Sequence, residues 1–183
     1  MLGSPGSMSR RPHLRGFKVA LLALGAFVTS VPVTGCASAA FDGRVYHDDS
    51  MRFRVGPMPS AWRSITVEDA LLAFRDDSAN ATIALNGRCG VDGDDVPLAS
   101  LTQHLFLQFT GREPIAQQTL TLDGREAMRT EITAALDGVK KHYLVFVMKK
   151  DGCVYDFMYI AAAGSLSSSA DFERFVQGFS TLE

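Results

Sequence analysis

The sequence has few cysteines and histidines, three and four respectively, and several common catalytic patterns are missing from it. Its three cysteines have no C-x-x-C spacing, which argues against a thioredoxin-like redox motif. It has no phosphate-binding G-x-x-x-x-G-K-[ST] loop, no serine in a nucleophile elbow and no H-x-x-x-H pair for zinc. The sequence therefore predicts a protein that is not an enzyme and that carries no cofactor.

Acidic residues are absent before Asp42, and this part of the chain is instead basic and then apolar. Four basic residues, between Arg10 and Lys18, precede the uncharged run "VALLALGAFVTSV" at 19–31. A basic stretch followed by an apolar run of this length is typical of a secretory signal peptide. The run is shorter than the ~20 residues that a transmembrane helix needs. The sequence therefore predicts export and favours a signal over a membrane-spanning anchor.

The signal ends at "VTGC", Val33 to Cys36, which resembles the lipobox of bacterial lipoproteins. The resemblance implies that Cys36 is diacylated, that cleavage occurs just before it, and that the new N-terminus is acylated again. The alternative is cleavage at the small residues of "ASA" (37–39), which would release an exported protein without lipid. The lipoprotein interpretation divides the chain into a signal peptide (1–35), a lipidated tether (36–43) and one folded domain (44–183), with Met1 or Met8 as the start.

Charge and the residue after Cys36 indicate where the mature chain works and what it contacts. All 20 acidic residues follow Cys36, whereas four of the 18 basic residues precede it, so the mature chain has a net charge of −6. An acidic domain argues against nucleic acid as a partner. Because Ala37 and not aspartate follows the cysteine, similarity to Gram-negative lipoproteins implies a bacterial envelope protein, lipid-anchored on the outer membrane and facing the periplasm. The expected partners are the membrane, through the lipid on Cys36, and a protein of the envelope.

The other two cysteines form an even pair once Cys36 carries lipid. In an oxidising compartment Cys89 and Cys153 can form a lasting disulfide. The alternative is two separate buried thiols, because free cysteine packs as a small apolar residue. We expect the disulfide.

Asp-Gly pairs recur every fourteen residues in the second half of the chain, at 123–124, 137–138 and 151–152. Asp-Gly between strand-like segments is a strong hairpin signal, because both turn residues need positive φ. The pattern predicts a four-stranded antiparallel meander over 115–122, 125–136, 139–150 and 153–161. The segment 143–148, "YLVFVM", is apolar on both faces, which predicts a central strand covered on each side.

Two helices are predicted to supply that cover. One begins at Ser168, which with Asp171 resembles a capping box, and carries an apolar stripe of Phe172, Phe175, Val176 and Phe179. The other begins near Pro97 with Asp94 or Asp95 as its cap, and its stripe is Leu98, Leu101, Leu105 and Phe109. Earlier strands are expected at 51–56, 71–75 and 81–87. The predicted fold class is α+β, a mostly antiparallel sheet with helices packed on both faces.

Two segments resemble the PsbP-like proteins. They are "YHDDSMRFRVGPMPSAW" (46–62) and "KDGCVYDFMYIA" (150–161), the latter followed by the phenylalanines of the last helix. The resemblance covers about residues 44–182 and implies an α/β/α sandwich. Members of that family bind unrelated partners and share no catalytic set, so the resemblance implies no binding residue here.

The densest carboxylate cluster is "DGDD", in which Asp92, Asp94 and Asp95 could hold a hard cation such as calcium. The alternative is a polar loop that caps the following helix. Taken together, the sequence predicts a non-enzymatic, lipid-anchored envelope protein with a binding or assembly role. The alternative is a lipoprotein that binds a metal or small ligand through the 92–95 loop.

Overall fold

A long antiparallel meander dominates the fold. The computed structural model describes residues 39–90 and 96–183. The strands are β1 (Ala40–Phe41), β2 (Val45–His47), β3 (Arg52–Arg54), β4 (Arg63–Ile65), β5 (Leu72–Asp76), β6 (Ala81–Cys89), β7 (Thr110–Leu122), β8 (Arg125–Leu136), β9 (Val139–Lys150), β10 (Cys153–Ala162) and β11 (Ser180–Thr181). The helices are α1 (Leu98–His104) and α2 (Ser169–Gln177).

The strands form two sheets in which all neighbours are antiparallel. The larger sheet has the order β4-β5-β6-β10-β9-β8-β7, and the smaller has the order β1-β2-β3-β11. The meander that the Asp-Gly spacing predicts is confirmed as β7 to β10. Its three aspartates, Asp123, Asp137 and Asp151, have φ of 47°, 49° and 54°, and each following glycine also has positive φ. The turn chemistry therefore fixes the register of all four strands.

Strand β9 is buried on both faces, as its apolar sequence predicts. Leu144, Phe146 and Met148 point into one core with the phenylalanines of α2. The alternate residues of β9, from Tyr143 to Val147, point into a second core with Leu98 and Leu101 of α1. We call the two faces the α2 side and the α1 side.

The predicted fold class, with helices packed on both faces as an α/β/α sandwich, is wrong. Strands hold 53% of the described residues and helices only 11%, so the protein is mostly antiparallel β-sheet. The two helices have seven and nine residues. At 1.5 Å per residue α2 is ~14 Å long, whereas β9 spans ~40 Å. Much of the cover on the α2 side comes instead from the smaller sheet, whose Tyr46 and Phe53 belong to the same core.

The capping box predicted for α2 is also wrong in detail, and Asp94 and Asp95, the caps predicted for the other helix, lie outside the described residues. Ser168 is the N-cap residue of α2, but its side chain makes no capping bond. Its hydroxyl donates instead to Asp76 Oδ2 at 3.0 Å, and Asp171 Oδ2 accepts a bond of 3.0 Å from Trp62 Nε1. Both polar groups of the expected capping box thus hold the helix against other parts of the chain.

The first helix is shorter than its apolar pattern suggests. Pro97 is its N-cap without a side-chain capping bond, and the helix ends at His104, before Leu105. Phe109 lies beyond the helix but still packs on Tyr143, with ring centroids 5.3 Å apart. The apolar stripe therefore predicts burial correctly and helix length incorrectly.

Two glycines allow the chain just after β3 to touch the end of α2 through backbone alone. The Gly56 N–H donates to the carbonyl of Phe175 at 2.8 Å. A Cβ added at Gly178 would lie 2.3 Å from the Gly56 Cα and 2.5 Å from its nitrogen. Because both obstructing atoms belong to the backbone, a side chain here requires the two elements to separate.

We expect Gly178→Ala to lower the free energy of unfolding by about 1–3 kcal/mol, the usual cost of overpacking. Urea denaturation followed by the fluorescence of Trp62, which is buried, measures the change. Gln177→Ala, at the exposed neighbouring position, serves as the control and is expected to change stability by less than about 0.5 kcal/mol. Equal effects of the two substitutions would contradict the close-contact argument.

Candidate functional site

The predicted disulfide is confirmed between Cys89 and Cys153. The two residues lie directly opposite each other in β6 and β10, with Cα atoms 4.0 Å apart. The Gly90 N–H donates to the Gly152 carbonyl at 3.0 Å just beyond the bridge. The bond therefore closes the end of the β6–β10 pair and encloses a separation of 64 residues.

A cluster of charged side chains lies on the α2 side of β8 and β9. Arg129 Nη2 donates to Glu173 Oε1 of α2 at 2.9 Å, and Nη1 lies 3.6 Å from Glu131 Oε2. The guanidinium carbon is 5.9 Å from the centre of the Phe146 ring. Glu131 Oε1 lies 3.0 Å from Nε2 of His142, whose side chain is buried. The cluster fastens α2 to the middle of the meander.

A groove on the α2 side runs between α2 and the outer strands β7 and β8, with a volume of about 570 Å³. Its floor includes Arg129 and Phe146. Glu173 lines the helix wall, and Gln118 and Leu120 line the strand wall. The lining mixes polar and apolar side chains, and a volume of this size lies in the range of sites for small molecules or peptide side chains. We call it the α2-side groove.

A smaller groove of about 220 Å³ lies on the opposite face, between α1 and β7. Phe106, Ile132 and Pro114 give it a largely apolar lining. Gln117 lies at its rim and donates through Nε2 to Thr130 Oγ1 at 3.0 Å. We call it the α1-side groove. The outer part of the sheet is thus flanked by one groove on each face.

The Asp123 carboxylate joins the two sheets. It accepts bonds from Lys150 Nζ at 2.5 Å, from Ser180 Oγ at 3.0 Å and from the Thr181 N–H at 2.9 Å. Burial alone would raise the pKa of Asp123, but the bonds from Lys150, Thr181 and Ser180 outweigh it and leave the pKa lowered. The first turn of the meander therefore holds β11 in place through one ionised group.

Apart from Cys89 and Cys153, the candidate site residues that the sequence predicts cannot be located in the structure. Cys36 and the acidic residues Asp92, Asp94 and Asp95 lie outside the described residues. Over 39–90 and 96–183, no three His, Cys, Asp or Glu side chains could hold a metal ion together. His47, His104 and His142 therefore belong to no such group within those ranges.

Sequence reasoning missed the charged cluster and both grooves. The signal for the cluster was the spacing of two between Arg129 and Glu131, which puts both side chains on one face of a strand. Their partner Glu173 comes from a helix more than forty residues further along the chain, and only the packing of α2 brings it close. The grooves depend on where the short helices end, which no local pattern gives.

Three solved structures are similar to this chain in fold. The cyanobacterial PsbP (CyanoP) of Synechocystis sp. PCC 6803 has a TM-score of 0.51 at 15% identity over 85% of this chain and 99% of that one. LpqN of Mycobacterium tuberculosis, described as involved in cell envelope biogenesis, has a TM-score of 0.52 at 17% identity. The match covers 75% of this chain and 88% of LpqN. A protein of Bacteroides thetaiotaomicron VPI-5482 has a TM-score of 0.52 at 10% identity. The match covers 72% of this chain but only 45% of that protein. The PsbP-like resemblance is thus confirmed for the fold.

No family model and no curated protein sequence matches the chain. Among the helices in the described part of the chain, none is long and apolar enough to cross a membrane.

Removal of the disulfide is expected to destabilise the protein. Loop-closure entropy for a 64-residue separation gives about 4 kcal/mol for the double variant Cys89→Ala/Cys153→Ala. Urea denaturation at pH 7 of the variant, compared with the oxidised and reduced wild type, measures this. The reduced wild type should match the variant, and an unchanged midpoint on reduction would contradict the expectation.

The lowered pKa of Asp123 predicts a pH dependence of stability. Its stabilisation is present above the unfolded pKa of about 4 and is lost as the pH falls through the lower folded pKa. We expect Asp123→Asn to lower the free energy of unfolding by about 2 kcal/mol at pH 7 and by less at about pH 3, where the carboxyl of the unfolded chain is mostly protonated. Urea denaturation at both pH values tests this.

Asp137→Asn provides a matched control for that measurement. Asp137 occupies the same position of the next Asp-Gly turn, with φ of 49°, and its exposed carboxylate makes no hydrogen bond to any described residue. Its substitution should leave the free energy of unfolding within about 0.5 kcal/mol at both pH values. Equal losses in the two variants would place the effect in the turn and not in the bonds to Lys150 and β11.

Proposed function

We propose that this chain is a non-enzymatic protein of the bacterial envelope, held on the membrane by lipid on Cys36, that binds a partner there. The observation that carries the proposal is the disulfide between Cys89 and Cys153, because such bonds persist in oxidising compartments outside the cytosol. It agrees with the export signal and with the lipobox at "VTGC". The outer membrane, on its periplasmic face, is the proposed location.

The described domain offers surfaces for binding. The α2-side groove has the volume of a ligand site, and the α1-side groove lies on the other face of the sheet. Similarity in fold to LpqN, described as involved in cell envelope biogenesis, adds support for a role in the envelope. The same fold is found in CyanoP, so the fold alone does not select the partner.

The intact mass of protein purified in detergent from its native membranes tests the anchor. We expect a chain that begins at Cys36 and carries the added mass of acyl chains, with two hydrogen atoms gained on reduction. Each buried acyl methylene contributes about 0.8 kcal/mol to membrane binding, so Cys36→Ser should move the protein out of the membrane fraction or leave it uncleaved.

Ser38→Ala is the matched control, because it changes a small residue beside the lipobox without removing the acceptor thiol. Apart from the one oxygen atom lost with the serine hydroxyl, it should leave the acylated mass unchanged, and fractionation should not change. An unmodified wild-type chain that begins near Ala40 and fractionates without the membrane would contradict the proposed anchor.

A further inference from the structure

The two edges of the seven-stranded sheet are very different. Strand β4, at one edge, has three residues, whereas β7, at the other, has thirteen. Every residue of β7 from Thr110 to Thr119 is exposed. Among the described residues β8 is the only neighbour of β7, so one side of this strand presents its backbone N–H and C=O groups outward.

The features that normally block an edge strand are confined to one end of β7. Arg112, Glu113 and Pro114 lie there, and both irregularities in the register with β8 come before Ala116. From Ala116 to Leu122 the register is continuous and no residue is charged. Natural proteins protect long edges with charge, proline or bulges, so a regular, uncharged stretch of seven residues requires another explanation.

We propose that the Ala116–Leu122 edge takes up one extended segment of another envelope protein as an additional strand. The inference rests on the proposed binding role and names the class of partner. The unpaired backbone groups of β7 fit the backbone of an extended peptide. The partner's segment is proposed to carry apolar side chains on its α1 side and polar side chains on its α2 side.

The two grooves are placed to receive alternate side chains of such a strand. The α1-side groove reaches β7 at Pro114 and Gln117, and the α2-side groove reaches it at Gln118 and Leu120. Because successive side chains of a strand point to opposite faces, one added segment can place alternate side chains in the two grooves. Phe106 and Ile132 favour an apolar side chain in the first groove. The Arg129–Glu173 pair favours a polar one in the second.

A second copy of this chain fits the edge less well. In an antiparallel pair of identical strands, like faces of the two sheets lie side by side. The register with β8 places Gln117, Thr119 and Thr121 on the α1 side. A second copy would therefore offer only polar side chains to the largely apolar α1-side groove, whereas a foreign segment can offer leucine or phenylalanine.

The test uses the full mature protein, purified in detergent, and hydrogen exchange followed by mass spectrometry. The probe is the peptide Lys-Leu-Thr-Leu-Gln-Leu-Thr-Leu-Lys, with its leucines on one face of a strand. A small panel replaces the leucines by phenylalanine, valine or glutamate. At about 1 mM peptide we expect exchange within 116–122 to slow at least about tenfold with the leucine or phenylalanine peptide, as paired amides become protected.

Two sets of controls separate strand addition from other binding. The same peptide with alternate backbone nitrogens methylated cannot complete the ladder and should give no protection. In the protein, Thr119→Lys should weaken binding at least about tenfold, which is about 1.4 kcal/mol, while Thr119→Val should not. Ser64→Lys, an exposed hydroxyl residue on the opposite edge, should leave affinity within about twofold.

Several outcomes overturn the proposal. It fails if no peptide of the panel slows exchange at 116–122, if the methylated peptide protects equally, or if glutamate replaces leucine without loss. Protection of β7 that is present without peptide and falls on dilution would identify a second copy as the occupant. The two claims fail separately: wild-type protein that carries no lipid but still binds the peptide would overturn the anchor and leave the edge site in place, and Cys36→Ser is expected to lose the lipid and keep peptide binding.

Discussion

The pairing of β6 with β10 is the contact on which the rest of the structure depends. Every other pair in the larger sheet joins strands that follow each other in the chain. The β6–β10 ladder instead runs without a break from Cys89 opposite Cys153 to Thr82 opposite Ile160 and joins two locally formed halves. Closing so long a loop carries an entropic cost that local hairpins avoid. The disulfide lies in this ladder and offsets part of that cost.

The same pairing decides which strands are buried. It places β9 and β10 in the interior of the sheet, so their side chains enter two cores, one on each face. It also pushes β7 to the outer edge, where the short helices cannot cover it. A meander of strands ~40 Å long over helices of 10–14 Å leaves grooves wherever a helix ends. The grooves and the exposed edge therefore share one geometric origin.

The sequence predicts what depends on local chemistry. The Asp-Gly turns require positive φ, and the structure has it at Asp123, Asp137 and Asp151, so four strands and their order follow from spacing alone. The even pair of cysteines likewise predicts the bridge. The predicted capping box failed because distant groups bond its polar atoms: the Ser168 hydroxyl donates to Asp76, and Asp171 accepts from Trp62. The predicted layers failed because helices of seven and nine residues are too short to cover the sheet. The sequence could not predict the grooves, because the helices that wall them, α2 on one face and α1 on the other, reach the sheet only through tertiary packing.

Three turns with identical sequence show how little the local signal says about function. Asp123, Asp137 and Asp151 adopt nearly the same backbone conformation, yet among described residues only Asp123 uses its carboxylate to hold a strand of the other sheet. Its neighbourhood closes one end of the α2-side groove, next to the regular stretch of β7. The first turn of the meander is thus tied to the smaller sheet where the outer strand is regular and uncharged. Another strand that binds this edge orders little further backbone of β7, because β7 is already in the extended conformation that pairing requires.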